Sequence, residues 1–167
     1  DYLVLNSTAA KVDGGSSWST RATSTTITSF TGTAGLTYVA YCFAPVAGYS
    51  AFGSYTGNGS TSGDGPFVHL GFRPRFLMVK CSNNGTNTDW VIIDSARDTY
   101  NISGLGLRAN LSSAEYDDRV IGAGYTSFDL LSNGFKVKGA SGRVNASNDT
   151  YIYCAFAESP FQYSRAR

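Results

Sequence analysis

Apolar residues recur at every second position in short runs along this chain, and clusters of Gly, Asn and Ser separate the runs. A period of two places successive side chains on opposite faces of a strand. The pattern predicts strands near residues 2–5, 24–30, 36–44, 51–55, 67–71, 75–81, 89–94, 104–108, 127–131, 135–138 and 150–157. Between them stand turn signals: GNG at 57–59, NNG at 83–85, SNG at 132–134 and ASGR at 140–143. Gly and Asn supply the positive φ that tight turns require. Helical character is confined to two single turns, STAAK at 7–11 and SSAEY at 112–116, each opening on a Ser able to cap it. Short strands at regular spacing with this punctuation predict an all-β fold, an antiparallel β-sandwich of jelly-roll-like character.

One predicted strand lacks a polar face. In TYVAYCFA at 37–44, Val39, Tyr41 and Phe43 share one side while Tyr38, Ala40, Cys42 and Ala44 share the other. Such a strand belongs mid-sheet with both faces covered, packed against the rest of the chain or a neighbouring subunit. The phrase returns as TYIYCAFA at 150–157, with four of eight positions identical and Val replaced by Ile at a fifth. A second echo links NSTAAK at 6–11 to NLSSAE at 110–115. The phrases are offset by 113 residues (37 to 150) and the second echo by 104 (6 to 110), so the later copy holds nine more residues (113 − 104) between its anchors. Two echoes in the same order indicate an internal repeat. Residues 1–45 read as the back half of a preceding repeat and residues 46–167 as a complete β-sandwich repeat, so residue 1 is expected to fall in mid-repeat.

Composition narrows the function classes. Charged residues make up 15% of the chain and the net charge is +1, which leaves no basic stripe for an electrostatic nucleic-acid binder. No apolar run approaches the ~18 residues of a membrane helix, and the first residues do not read as a signal peptide. Neither nucleic acid nor a membrane is an expected partner. Three cysteines cannot all pair within one chain. Each sits in an apolar stretch, where a reduced thiol behaves as a small buried hydrophobe.

Several motifs in combination resemble a known repeat. These are YTGNG at 55–59, GFRP at 71–74 followed by an apolar strand ending in Lys80, WVIIDSAR at 90–97, SNGF at 132–135 and YIYCAFAESPF at 151–161. Together they resemble a tandem β-repeat module of tail-fibre-like structural proteins of tailed bacteriophages, frequent in marine and environmental phages and often labelled SPRY/lectin-like. The resemblance covers nearly the whole chain. It implies a virion localisation and, as partners, further copies of the chain, other virion proteins and a host-surface glycan. It transfers no catalytic residue and no ligand. Each motif also has a local physical reading. Pro74 fixes φ ahead of a strand, Trp90 is expected to anchor the core, and Asp94 with Arg97 forms a turn-stabilising pair.

Candidate chemistry is sparse. His69 is the single histidine and alternates with Val68 and Leu70, as a strand residue would. One His and no CxxC predict no metal site of the zinc type, and Glu115, Asp117 and Asp118 lack the spacing of a calcium loop. No cofactor is expected. No motif pairs two carboxylates as glycoside hydrolysis requires, so the chain is read as non-enzymatic, with a carbohydrate-active module as an alternative. Asn-x-Ser/Thr occurs at Asn6, Asn58, Asn84, Asn101, Asn110, Asn145 and Asn148, and is read as turn-rich composition rather than glycosylation. Aromatic residues remain. Trp18, Tyr49, Tyr55, Tyr100, Tyr116 and Tyr125 lie in or beside Gly/Ser-rich loops. Exposed Tyr and Trp stack on sugar faces and anchor interfaces, which makes these six the candidate ligand-binding residues. The expected function is a tail-fibre or appendage module contributing to host attachment through avidity. The alternative is a capsid-decoration or filament subunit whose aromatic surfaces are consumed by assembly.

Overall fold

The computed structural model describes residues 1–14, 25, 35–86 and 88–159, which contain strands and no helix. Nine strands follow in chain order: β1 (Ser50–Thr56), β2 (Phe67–His69), β3 (Pro74–Cys81), β4 (Val91–Asp94), β5 (Leu105–Arg108), β6 (Tyr116–Asp117), β7 (Phe128–Leu131), β8 (Gly134–Val137) and β9 (Thr150–Ala157). They form two antiparallel sheets, one ordered β1-β9-β3-β4-β5-β6 and one ordered β2-β8-β7. The chain leaves the first sheet after β1 to make β2, and Gly71 reverses it at a φ of +79°. It then re-enters at Pro74 as β3, two places away from β1. The gap closes last, when β9 pairs with β1 from Ser50↔Phe156 to Thr56↔Thr150 and with β3 from Phe76↔Phe156 to Cys81↔Tyr151. The phrase TYIYCAFA is thus an interior strand of the larger sheet, one place in from its β1 edge.

The period of two decides what fills the space between the sheets. From the larger sheet come Leu77, Val79, Cys81, Val91, Ile93, Tyr151 and Ala155; from the smaller come Phe128, Leu130, Phe135 and Val137. This is the packing of an antiparallel β-sandwich. Phe135 is its hub, with ring centroids 5.9 Å from Tyr55, 6.0 Å from Phe128 and 5.6 Å from Tyr153. Tyr55 stacks on Tyr151 at 5.1 Å and donates its hydroxyl to the Val144 carbonyl at 2.8 Å. Tyr151 donates to the Gly142 carbonyl and accepts from the Ala146 N–H. Two buried phenols therefore hold the loop that leads into β9. Burial, with the neighbouring Tyr151 and Cys81, pushes the Tyr55 phenol well above its ordinary pKa.

Residues 1–14 form a strap across the outer side of β3 and β4. The Lys11 N–H donates to the Ser82 carbonyl at 2.7 Å. Fully buried Lys80 donates from Nζ to the carbonyls of Cys81 and Thr8 and to Thr88 Oγ1. Three oxygen acceptors are what an ammonium needs to leave water, and the burial still lowers the Lys80 pKa.

Several expectations are corrected. Residues 36–44 form no strand and are exposed, with Val39 at 77% and Tyr41 at 84%. Cys42 is exposed rather than packed, while Cys81 is buried and Cys154 half-buried. Residues 112–116 do not turn into a helix; Tyr116 opens β6. Residues 2–5 contribute a single bridge, Tyr2↔Val12, in place of a strand. Trp90 is buried, but on the face opposite the core residues Val91 and Ile93. There it lies under the strap and donates its indole N–H to the Val4 carbonyl at 3.2 Å. The strand expected at 24–30 lies outside the described residues.

Candidate functional site

Two surfaces carry unspent chemistry. The first is the outer face of the larger sheet. The core takes the odd-numbered residues of β9, so Ile152, Cys154 and Phe156 point outward beside Met78 and Phe76 of β3 and Phe52 of β1. Phe52, Met78, Trp90, Ile152 and Cys154 line an apolar groove of about 310 Å³. At one end Phe156 gathers four rings, with Phe43, Tyr49 and Phe52 each at 5.9 Å and Phe76 at 6.0 Å.

The second is a polar cleft of about 390 Å³ after β4, lined by Arg97, Asp98, Thr99, Tyr100, Asn101, Ile102 and Arg119. Its charged walls are held in place. Arg97 donates from Nε to Asp94 and from Nη1 to Glu115 at 2.6 Å, and its buried Nη2 has no partner. Burial pulls the Asp94 carboxyl up, but the bonds from the Arg97 side chain and from the Arg97 and Ala96 N–H groups outweigh it and leave it below the ordinary range. Arg119 grips Asp117 with both Nε and Nη2, at 2.9 and 2.7 Å. That bond draws the Asp117 pKa down to about 2. Asp98 accepts from the N–H groups of Gly104 and Leu105. Asn101 meets both the N–H and the carbonyl of Leu130. Over this rigid polar rim stands Tyr100, 83% exposed.

The six candidate aromatics do not converge. Tyr100 flanks the cleft, and Tyr125 is exposed in the loop before β7. Tyr49 belongs to the phenylalanine cluster of the outer face. Tyr55 is corrected to a core residue, because β1 turns it inward onto Tyr151 and Phe135. Tyr116 is half-buried on β6 under the Arg108 guanidinium, 4.9 Å from the ring centroid. Burial, reinforced by Asp118, pushes its phenol pKa up. Trp18 lies outside the described residues. The acidic trio is dispersed as well: Glu115 pairs with Arg97, Asp117 with Arg119, and Asp118 accepts from the Thr126 N–H. Among the described residues no group of three His, Cys, Asp or Glu is placed to hold a metal. Six sequon asparagines, Asn58, Asn84, Asn101, Asn110, Asn145 and Asn148, spend their amides on internal hydrogen bonds. Sequence reasoning overlooked the cleft arginines as site residues, although the charged run DDR at 117–119 inside a polar loop marks one of them.

Residues 1–160 match the family described as Domain of unknown function (DUF7483). The chain belongs to that family. The match to DUF7483 runs from the strap through β9, so both surfaces fall within the family's domain. No curated protein and no solved structure matches the chain.

Proposed function

We propose that this chain is a module of a phage virion appendage, of the tail-fibre type, that contributes to host attachment by binding surface glycan. What supports the reading is the Tyr100 cleft: an exposed flat ring beside a rim of fixed donors and acceptors. Stacking of a sugar on such a ring with hydrogen bonds at its edge is individually weak, and many copies on one particle multiply it. Binding of the purified chain to a glycan array is the test. Tyr100→Ala should abolish the signal for every glycan the chain retains while leaving the urea midpoint unchanged. Retained binding by that variant would remove the cleft from the reading.

The outer face favours a second reading, a decoration or filament subunit. Phe156 and the four aromatic rings around it form an apolar patch of the kind that marks interfaces. Light scattering should then show assembly that grows with concentration and is weakened by Phe156→Asp. A monomer throughout the range would count against this reading.

A further inference from the structure

The strap and the β5–β6 hairpin share one hydrogen-bond register. Tyr2 pairs with Val12 in an antiparallel bridge, and adding 104 to each gives Gly106 and Tyr116, an antiparallel pair of the β5–β6 ladder. The Ser7 N–H donates to the Val4 carbonyl at 3.2 Å, and the matching Leu111 N–H donates to the Arg108 carbonyl, also at 3.2 Å. The same offset, 6 to 110, separates NSTAAK from NLSSAE. Residues 1–13 and 105–117 are therefore two copies of one hairpin, and they stand in two different settings.

Each copy spends a different set of its polar groups. The strap spends those that face a ledge between the end of β3 and the start of β4. Its Val4 carbonyl accepts from the Trp90 indole at 3.2 Å, and its Thr8 carbonyl accepts from Lys80 Nζ at 3.1 Å and Thr88 Oγ1 at 3.0 Å. Its Lys11 N–H donates to the Ser82 carbonyl at 2.7 Å. The β5–β6 loop bonds instead to its own β4 side: the Ala109 N–H donates to the Trp90 carbonyl, and the Asn110 amide holds the Trp90 N–H and Asp89. The groups that match the strap's ledge set stay unspent. Among the described residues the Ser112 carbonyl and the Glu115 N–H have no partner. Residues 111–115 are exposed, whereas Ser7, Thr8 and Ala10 of the strap are half-buried. The ladder explains why these groups look outward. Val12 and Tyr116 turn their backbones toward the facing strand, so Lys11 and Glu115 before them turn theirs away.

We infer that the β5–β6 loop, residues 108–115, docks on the ledge of another module of this same fold, in the way that the strap docks here. The strap seated on the ledge shows what fits. Every one of these ledge bonds goes to the main chain of the strap, so the changes from Val4 to Arg108, Thr8 to Ser112 and Lys11 to Glu115 leave them intact. The Arg108 carbonyl then takes the indole, the Ser112 carbonyl takes the Lys80 ammonium and the Thr88 hydroxyl, and the Glu115 N–H reaches the Ser82 carbonyl. A buried ammonium needs oxygen acceptors, so a ledge without its strap favours any hairpin that supplies a carbonyl at that point. The contact is heterologous, loop to ledge, and can repeat from module to module instead of closing on a pair. It forms whether or not the Tyr100 cleft binds glycan or the Phe156 face drives assembly.

The test opens the ledge in the full chain. A protease site inserted between Gly14 and Gly15 lets the chain fold with its strap in place and then be cut. Intact chain is added in excess, and native mass spectrometry follows the strap. The intact chain should displace it, giving a complex of one strap-free sandwich and one intact chain. Ser112→Trp in the intact chain alone should abolish that complex without moving its urea midpoint, because Ser112 is exposed while its counterpart Thr8 is half-buried. Ser112→Ala should displace the strap as well as the parent does, since the main chain makes the bond. A strap that excess intact chain never displaces overturns the inference, and so does one that leaves with no complex formed. An equal yield of complex with Ser112→Trp overturns it as well, because the bared face would then be merely adhesive.

Discussion

Phe135→Ala should be the most damaging single substitution in the sandwich, lowering the unfolding free energy measured in urea by about 3–5 kcal/mol. The ring is fully buried and touches Tyr55, Phe128 and Tyr153, which come from both sheets. Its loss leaves a void that neither sheet can close alone, because each is pinned by its own ladders. Against a typical domain stability of about 5–15 kcal/mol, this is enough to leave a large unfolded fraction near body temperature. Phe67→Ala is the internal control. That ring is 47% exposed on the edge strand β2, and its removal should change stability by no more than about 0.5 kcal/mol. Equal effects at the two positions would refute the two-layer core.

The second large effect is electrostatic. Asp89 is 5% exposed and accepts from Arg143 Nε at 2.8 Å and from Asn110 Nδ2 at 2.9 Å, with Arg108 Nε at 3.6 Å. Burial pushes its carboxyl pKa up, but the Arg143 and Asn110 bonds and the two guanidinium charges outweigh that and hold it below the ordinary 3.8. A carboxyl depressed by folding stabilises the chain at pH above the unfolded value, and that contribution fades as pH falls through the folded one. Asp89→Ala should cost about 1–3 kcal/mol at neutral pH, since it leaves two half-buried guanidinium groups without their counter-charge. Urea midpoints compared between pH 7 and pH 3 should fall less for Asp89→Asn than for the parent. Some slope remains in the variant because Asp94, held by Arg97, is depressed too. An unchanged slope would show that Asp89 is not the group being protonated.

Much of the strand map could be read from the chain because alternation is a local property. Side chains two apart share a face whatever the strand's neighbours, so β3, β4, β7, β8 and β9 fall where period-two runs stand between Gly and Asn turns. The same locality explains the misses. Tyr55 and Tyr100 both sit beside polar loop sequence, yet one ends inside the sandwich and the other stands 83% exposed. What separates them is the register of β1 against β9, a contact across about a hundred residues of chain (Tyr55↔Tyr151). The cleft arginines were hidden for the same reason: Arg97 and Arg119 share one cleft only after the turn beyond β4 and the segment following β6 are brought together.

By itself, then, the sequence determined the all-β class, the turn positions and the two-faced apolar character of TYVAYCFA and TYIYCAFA. Tertiary structure alone decided which of the two became a strand. Thr150–Ala157 has β1 and β3 on either side to satisfy its backbone and the smaller sheet to cover its inner face. Residues 36–44 carry nearly the same phrase, yet they are assigned to no strand and are exposed. A strand is defined by its partners' hydrogen bonds as much as by its own side chains, and for Thr150–Ala157 those partners come from β1 and β3, far away in the sequence.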